Sequence, residues 1–369
     1  MYIIFVCMSK IKTRKGEKIE VFAGKAGSIQ PSLKPFFLII FSLFIIIPFS
    51  LVSYKRNALW NDEVSLWKDV ARKSLSKEGG HNNLGASYYK QGLLDEAIQE
   101  YSITLRLHPD FAPPHNNLGN IYYDQGLLNE AIQEYTAALR LEPGYMDAHY
   151  NLGIVYSQQG RFDEAIQEYK ITLLLKPDYV KAYNELGITY YNQGRFDEAI
   201  QEYTTALRIK PDYAEAHNNL GLIYLNQGPL NEAIQKFQTA LRLKSDYQDA
   251  HYNLGLAYSQ QGRFDEAIQE YKTALLLQPD YVKAHNELGN AYAHQGRLDE
   301  AIKEYRNALE LKPDYHKAHY NLGLVYWEKG LKQRAKEEFE TTLKLNPGFL
   351  PARKAIESLD RESQTDKVK

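Results

Sequence analysis

Apolar and polar positions return in the same order every 34 residues through most of the chain. Within residues 180–213, Ala199 and Tyr203 belong to a series of apolar positions spaced three and four apart, which is the pattern of one buried helix face. A first helix is predicted before this one, and Gly194 between them suits a left-handed C-cap. Pro211 is predicted to end the second helix, because proline has no backbone N–H to donate to the helical hydrogen bonds. Each unit is therefore predicted to be a pair of helices.

A glycine in a repeated Leu-Gly pair marks the period. It lies at Gly85, Gly119, Gly153, Gly187, Gly221, Gly255, Gly289 and Gly323, in steps of 34 residues. A fixed period in this range is the signature of a solenoid. The predicted fold is therefore all-α, with eight repeats over residues 78–349. The absent side chain at this column lets the two helices of a repeat cross closely.

The same columns carry a family resemblance. In the unit 180–213 they are Leu186, Gly187, Tyr190, Ala199, Tyr203, Ala206 and Pro211. With their equivalents in the other units, these residues resemble the tetratricopeptide repeat. The resemblance implies an α-α superhelix in which the first helices of the repeats line the concave surface. Residues 350–361 are predicted to form a capping helix with a polar outer face, and residues 362–369 a disordered tail.

The segment before the repeats is strongly apolar. Residues 36–54 contain no charged residue, and at about 1.5 Å per residue they reach roughly 28 Å, close to the thickness of a hydrocarbon core. They are predicted to form a transmembrane helix, after a basic and poorly ordered segment over residues 1–35 and before an amphipathic linker helix over residues 55–77. More lysines and arginines precede the span than follow it, which favours a cytoplasmic N-terminus. We therefore expect a single-pass membrane protein with its repeats on the non-cytoplasmic side.

The linker carries a second resemblance. Its residues Arg56, Asn57, Trp60, Asp62, Leu66, Trp67, Lys73 and Ser74 are similar to the junction in polytopic membrane mannosyltransferase-like proteins that end in tetratricopeptide repeats. The many membrane helices and the acidic catalytic loop of those proteins have no counterpart in this sequence. Trp60 and Trp67 are seven residues apart on one helical face, which suits either a membrane interface or a cover for the first repeat.

Composition excludes several classes of function. Lys and Arg number 44 against 46 Asp and Glu, so the net charge of −2 gives no sign of nucleic-acid binding. Cys7 is the single cysteine, which excludes an internal disulfide framework and a cysteine-based zinc cluster. Neither a Gly-rich phosphate loop after a strand nor a Ser-His-Asp arrangement stands out. We therefore expect no catalytic residues, no cofactor and no enzymatic activity.

Seven of the ten histidines occupy one column of the repeat. They are His81, His115, His149, His217, His251, His285 and His319, and Tyr183 fills the same column in the fourth unit. A metal array is one interpretation. Equivalent positions on packed helices are about 8–10 Å apart, however, whereas a shared zinc ion needs its ligands within about 2.1 Å. Structural packing is therefore the preferred prediction, and no metal is expected.

Each column is a position counted from the first residue of the 34-residue unit, so that residue 180 is in the first column. The sixth column is the candidate for binding a partner. It contains Asn83, Asn117, Asn151, Glu185, Asn219, Asn253, Glu287 and Asn321. An amide both donates and accepts, so a row of amides can hold the backbone of an extended peptide. This row resembles the asparagine ladder in the repeats of the nucleocytoplasmic O-linked N-acetylglucosamine transferase, which grips substrate peptides. Glu185 and Glu287 interrupt the row and favour a partner with positive charge, whereas the alternative is that the amides bond neighbouring helices.

Aromatic residues of the twelfth column add to this predicted groove, at Tyr89, Tyr123, Tyr191 and Trp327. The sequence thus favours a membrane-anchored scaffold whose concave groove binds a peptide segment of another protein. The alternative is the substrate-recruiting part of a membrane glycosyltransferase, either truncated or separate from its catalytic part. Self-association of the solenoid is a third interpretation.

Overall fold

The computed structural model describes residues 62–73 and 79–368, together with Ile47, Ser50 and Tyr54, and it describes side chains as far as residue 362. The two continuous stretches form eighteen helices and contain no strand. Helix α1 spans Glu63–Lys73 and precedes the repeats, and α18 spans Leu350–Val368 and follows them.

The eight repeats supply the sixteen helices between these two, one pair for each repeat. In chain order they are α2 Gly79–Lys90 and α3 Leu94–Leu107, α4 Ala112–Asp124 and α5 Leu128–Leu141, α6 Met146–Gln158 and α7 Phe162–Leu175, α8 Val180–Asn192 and α9 Phe196–Ile209, α10 Ala214–Gln227 and α11 Leu230–Leu243, α12 Gln248–Gln260 and α13 Phe264–Leu277, α14 Val282–His294 and α15 Leu298–Leu311, and α16 His316–Glu328 and α17 Lys332–Leu345. The predicted helix pairs are confirmed throughout.

Two glycines shape each pair. Gly194 adopts a φ of 76°, so it is the left-handed residue that ends α8, as predicted. Gly187 lies where α8 crosses α9, and a Cβ atom there would be only 2.5 Å from Cε1 of Tyr203. The ring of Tyr203, itself 1 % exposed, therefore occupies the space that the glycine leaves. The close helix crossing is confirmed, and every repeat uses the same pair of columns.

Stacking of the pairs produces a core that runs along the solenoid as five buried clusters, with partly buried side chains such as Tyr224 and Tyr156 packed against two clusters at once. Each second helix packs against the first helix of its own repeat and of the next, and the largest buried side chains are the aromatic residues of the second helices. First helices of successive repeats also contact one another, whereas contacts of that extent between successive second helices are absent from the described residues. The first helices therefore lie closer together and form the inner, concave wall.

Both ends of the solenoid are covered. In α1, Ala71 is buried and Trp67 packs against the core of the first repeat, so Trp67 takes the covering role rather than the membrane-interface role. Trp60 lies outside the described residues. At the other end Ala352 and Leu359 of α18 complete the core of the last repeat. This helix continues to Val368, beyond the predicted boundary at residue 361, which corrects the prediction of a disordered tail over residues 362–369.

The predicted transmembrane helix over residues 36–54 and the segment over residues 1–35 lie outside the described residues, except for the three isolated positions named above. Within the described part of the chain, none of the helices has the length and apolar character needed to cross a bilayer. The physical reason is that the described helices are short and turn a polar face outward. This finding overturns the predicted localisation as a single-pass membrane protein with its repeats on the non-cytoplasmic side.

Candidate peptide-binding groove

The sixth-column residues lie on the first helices, which form the concave wall, but the amide groups of five of them already donate to the preceding repeat. Asn219 Nδ2 donates to Oδ1 of Asn184 in the preceding repeat at 2.9 Å, and Asn253 Nδ2 donates to Asn218 at 3.0 Å. The same bond joins Asn117 to Asn82 at 3.2 Å, Asn151 to Asn116 at 3.1 Å and Asn321 to Asn286 at 3.0 Å. The amide donors thus bond neighbouring helices, which was the structural alternative.

A simple rule decides which sixth-column positions are asparagine. An asparagine occurs there when the fifth column of the preceding repeat is also asparagine and so provides the acceptor. Glu185 follows Tyr150 and Glu287 follows Tyr252, where the preceding repeat offers a phenol instead. Sequence reasoning missed this pairing of columns between repeats, although the signal was present in the residues 35 apart.

Of the two sixth-column glutamates, Glu185 has fewer hydrogen bonds. Its Oε1 accepts from Asn184 Nδ2 at 3.2 Å, whereas Glu287 accepts from both Asn286 and Asn290 at 3.0 Å. Burial raises the pKa of the Glu185 carboxyl, and the bond from Asn184 opposes this only in part. The concave wall therefore contains a half-buried carboxylate with an incompletely satisfied hydrogen-bonding capacity.

The twelfth-column aromatics also link successive repeats. Tyr89 donates to the carboxylate of Asp124, and Tyr191 Oη accepts from Asn226 Nδ2 at 2.6 Å. Trp327 Nε1 donates to Glu362 Oε2 at 3.4 Å, which ties the last repeat to α18. Tyr123 packs against the core at the second and third repeats. All four residues are partly exposed, so they remain part of the wall surface.

A row of apolar residues in the ninth column was missed from the sequence. It comprises Ile154, Ile188, Leu222, Leu256 and Leu324, with asparagine at positions 120 and 290. The ninth column lies one helical turn after the sixth, so both columns share the concave face. Four of these side chains are half-buried, and Leu324 is 37 % exposed. The wall thus combines partly exposed apolar groups with polar groups, as protein-binding surfaces do.

The histidine column connects three segments of the solenoid. His149 Nδ1 is 2.5 Å from Glu168 Oε2 on the second helix of its repeat, and its Nε2 is 3.0 Å from the carbonyl oxygen of Pro143 in the preceding loop. The glutamate bond also occurs in the pairs His81–Glu100, His115–Glu134, His251–Glu270, His285–Glu304 and His319–Glu338. The described residues include no cluster of three or more metal-ligating side chains. The bonds to glutamate hold the first helix of a repeat against its own second helix.

Comparison with known families agrees with this geometry. The model of the cilia and flagella-associated protein 70 C-terminal domain matches residues 112–312, more than half of the chain. The chain belongs to this family of tetratricopeptide repeats. Models described as TPR repeat and as tetratricopeptide repeat also match, over residues 85–126 and 280–347. The fold class predicted from the period is therefore confirmed as a tetratricopeptide-repeat solenoid.

Solved structures contain similar solenoids. The crystal structure of the APC/C hetero-tetramer Cut9-Hcn1 matches with a TM-score of 0.60 and 20 % identity, over 71 % of this chain and 52 % of that chain. The tetratricopeptide-repeat chain described here thus spans about half the length of that neighbour. MamA matches at 33 % identity over 45 % of this chain and 97 % of its own, with a TM-score of 0.40. YrrB, "a TPR protein with an unusual peptide-binding site", matches at 23 % identity over 50 % of this chain and 95 % of its own, also with a TM-score of 0.40.

No curated protein matches the sequence. These comparisons support the repeat family and give no support to the two finer resemblances, to the mannosyltransferase-like junction and to the O-linked N-acetylglucosamine transferase repeats. Four of the eight junction residues, Arg56, Asn57, Trp60 and Ser74, lie outside the described residues.

Proposed function

We propose that this tetratricopeptide-repeat protein binds an extended segment of another protein along its concave wall. The observation that carries the proposal is the ninth-column row of apolar side chains, most of which pack against the core and yet stay partly exposed along the first helices. Partly exposed apolar groups at regular intervals suit the side chains of an extended chain, and burying them on binding is favourable.

The sixth-column amides supply the polar part of the proposed contact. Their Nδ2 groups are used between repeats, but within the described residues the side-chain oxygens of Asn117, Asn151 and Asn321 accept no hydrogen bond. An amide oxygen facing the groove can accept a backbone N–H of a bound segment. The amide row thus acts mainly as a row of hydrogen-bond acceptors, whereas the sequence predicted that the amides would both donate to and accept from a bound peptide backbone. The absence of enzymatic activity stays a prediction.

A peptide-display selection on the full chain tests the proposal. Peptides recovered from a random library are labelled, and their affinity is measured by fluorescence anisotropy for the wild type and for a wall variant with Leu222→Asn and Leu256→Asn. Asparagine occupies this column naturally at Asn120 and Asn290, so the wall variant is expected to fold. Loss of two apolar contacts should weaken binding about tenfold or more.

The matched control changes two leucines on the outer face, Leu174→Arg and Leu276→Arg. Both side chains are 81 % exposed, and other repeats carry arginine at this column, as at Arg140 and Arg208. The control should bind like the wild type. Peptides whose affinity is unchanged in the wall variant, or reduced equally in the control, would show that the concave wall is not the binding surface.

A further inference from the structure

Two places on the concave wall share one arrangement, a glutamate beside four tyrosines. The first carboxylate site comprises Glu185 with Tyr150, Tyr169, Tyr203 and Tyr213, and the second comprises Glu287 with Tyr252, Tyr271, Tyr305 and Tyr315. Burial is the main cause that raises the pKa of each of these eight hydroxyls, and the charge of the local glutamate adds to it in every case. The charge of each carboxylate thus acts on tyrosines at the same four positions of the repeat.

The tyrosines form the same cluster at both sites. The ring centroids of Tyr150 and Tyr169 are 6.0 Å apart, and those of Tyr252 and Tyr271 are 5.9 Å apart. Tyr150 also contacts the ring of Tyr179 edge-on at 5.1 Å, and the equivalent pair at the second site is 4.9 Å apart. The two sites thus share one arrangement of these tyrosine rings and are separated by three repeats.

Among the residues that the structure describes, neither carboxylate has a counter-ion. In the described part of the chain, no lysine, arginine or histidine forms an ion pair with Glu185 or Glu287, and their hydrogen bonds come only from asparagine amides. A carboxylate that is half-buried without a cation is costly in free energy. A cation from a partner would remove that cost.

The first site also contains an unsatisfied hydroxyl. Tyr169 is fully buried, and its Oη has no hydrogen-bond partner, whereas the equivalent Tyr135 and Tyr305 donate to Asn120 at 2.8 Å and to Asn290 at 2.7 Å. Ile154 stands in the ninth column of that repeat and offers no acceptor. An orphaned buried hydroxyl beside an unpaired carboxylate indicates that the polar groups of this site are incomplete without a ligand.

The fold does not require a carboxylate at this column. Tyr320 is a third tyrosine in the fifth column, and the residue 35 positions later is Ala355, which is buried in α18. Tyr320 forms its own aromatic cluster with Phe339 and Phe349, so the aromatic packing is preserved with alanine there. The aromatic packing around a fifth-column tyrosine therefore does not by itself require a carboxylate in the next repeat.

Resting on the proposed binding of an extended segment, we infer that each carboxylate site binds the cationic group of a lysine or arginine side chain, so that the groove selects a segment with two basic residues. Three steps of about 8–10 Å between packed helices give roughly 24–30 Å between the sites. An extended chain at about 3.3 Å per residue covers this distance in about seven to nine residues. A carboxylate supplies a charge-assisted hydrogen bond, and tyrosine rings add cation–π attraction.

The test repeats the display selection on the full chain and on a variant with Glu185→Gln and Glu287→Gln. The wild type should enrich peptides with lysine or arginine at two positions seven to nine residues apart, and the variant should lose that enrichment. For a peptide recovered in this way, each single Glu→Gln substitution should weaken binding about tenfold or more, and so should alanine at the corresponding basic residue. Glu185→Gln measured with the peptide that has alanine in place of the basic residue bound by Glu185 should bind no more weakly than either change alone.

The matched control is Glu164→Gln with Glu266→Gln, which removes two exposed carboxylates from the second helices of the third and sixth repeats. Circular dichroism and thermal melting confirm that all variants fold. Peptides that depend on the apolar wall but show no basic enrichment, or are indifferent to Glu185→Gln and Glu287→Gln, overturn this inference and leave the proposed function standing. Peptides that do not depend on the wall at all overturn both.

Discussion

At the scale of single residues, the role of the histidine–glutamate pair is clearest in the two repeats where one of its members is replaced. Lys236 replaces the glutamate that pairs with the histidine in six other repeats, and Nδ1 of His217 is left buried without a partner. Burial lowers the pKa of His217, and the charges of Lys236 and Arg242 lower it further. In the fourth repeat the histidine is replaced instead, by Tyr183, and burial raises the pKa of the unpaired Glu202. Each partner thus controls the protonation of the other.

Substituting Lys236→Glu should restore the missing pair. The new carboxylate would accept from Nδ1 of His217, so the pKa of this histidine should move from below its usual value to above it, as at His149. The added charge-assisted bond should also stabilise the fold by about 1 kcal/mol at pH 6. Titration of the histidine ring protons by NMR measures the shift. Lys344→Glu, an exposed charge reversal far from His217, is the control and should leave that titration unchanged.

At the scale of one repeat, the glycine of the helix crossing decides how closely the pair packs. Gly187 and Tyr203 belong to different helices, and the space above the glycine holds the ring. The same relation recurs in the other repeats with tyrosine or phenylalanine. Glycine weakens an isolated helix by roughly 1 kcal/mol relative to alanine. It is favoured here because the interhelical contact is worth more than helix propensity.

Replacement of Gly187 by alanine should therefore destabilise the protein despite the gain in helix propensity. The added Cβ would meet the Tyr203 ring at 2.5 Å, and overpacking of this kind costs about 1–3 kcal/mol. Chemical denaturation monitored by circular dichroism gives the free energy of unfolding. Gly79→Ala adds a methyl group to another helix, where the nearest atom is 3.6 Å away, and should not destabilise. Equal effects of the two substitutions would contradict the role assigned to the crossing.

At the scale of the whole molecule, the histidine–glutamate pairs recur in six repeats, and together they make the stability of the solenoid respond to pH. Where a ring nitrogen faces a carboxylate and the other faces a carbonyl oxygen, both bonds form when the ring carries two protons. The bond to glutamate is the main cause that raises the pKa of His149 and His319. In His251 and His285 burial has the largest effect and lowers the pKa, but the glutamate and carbonyl bonds outweigh it.

These shifts give a definite pH dependence. A histidine whose pKa is raised on folding contributes stability below its unfolded pKa of about 6.5, and that contribution is lost as the pH rises through the raised value. A variant with tyrosine at His149, His251, His285 and His319 should thus be less stable than the wild type near pH 6, and the difference should shrink toward alkaline pH. Thermal melting of both proteins across this range measures it. Tyr183 shows that the column accepts tyrosine, and a difference independent of pH would refute the linkage.

The sequence by itself determined the repeat, its helix pairs and their limits, because these depend on local spacing. Gly194 predicted the left-handed end of α8, Pro211 followed the end of α9, and the Leu-Gly pair predicted the close crossing. Such features need only periodicity and backbone chemistry, and they recur eight times. The end of α18 was not predicted, because the last turns of this polar helix lie outside the repeat and have no equivalent in other units that would show where the helix ends.

Only the tertiary structure decided what the polar columns do. Asn219 finds its acceptor 35 residues earlier through the stacking of repeats, and His149 finds its glutamate 19 residues later through the packing of the two helices of its repeat. The same stacking lets the charge of Glu185 act on tyrosines of two repeats, and no cationic side chain among the described residues pairs with it. Local spacing fixes which helices form. The surroundings of a side chain on the inner wall depend on which repeat packs beside it.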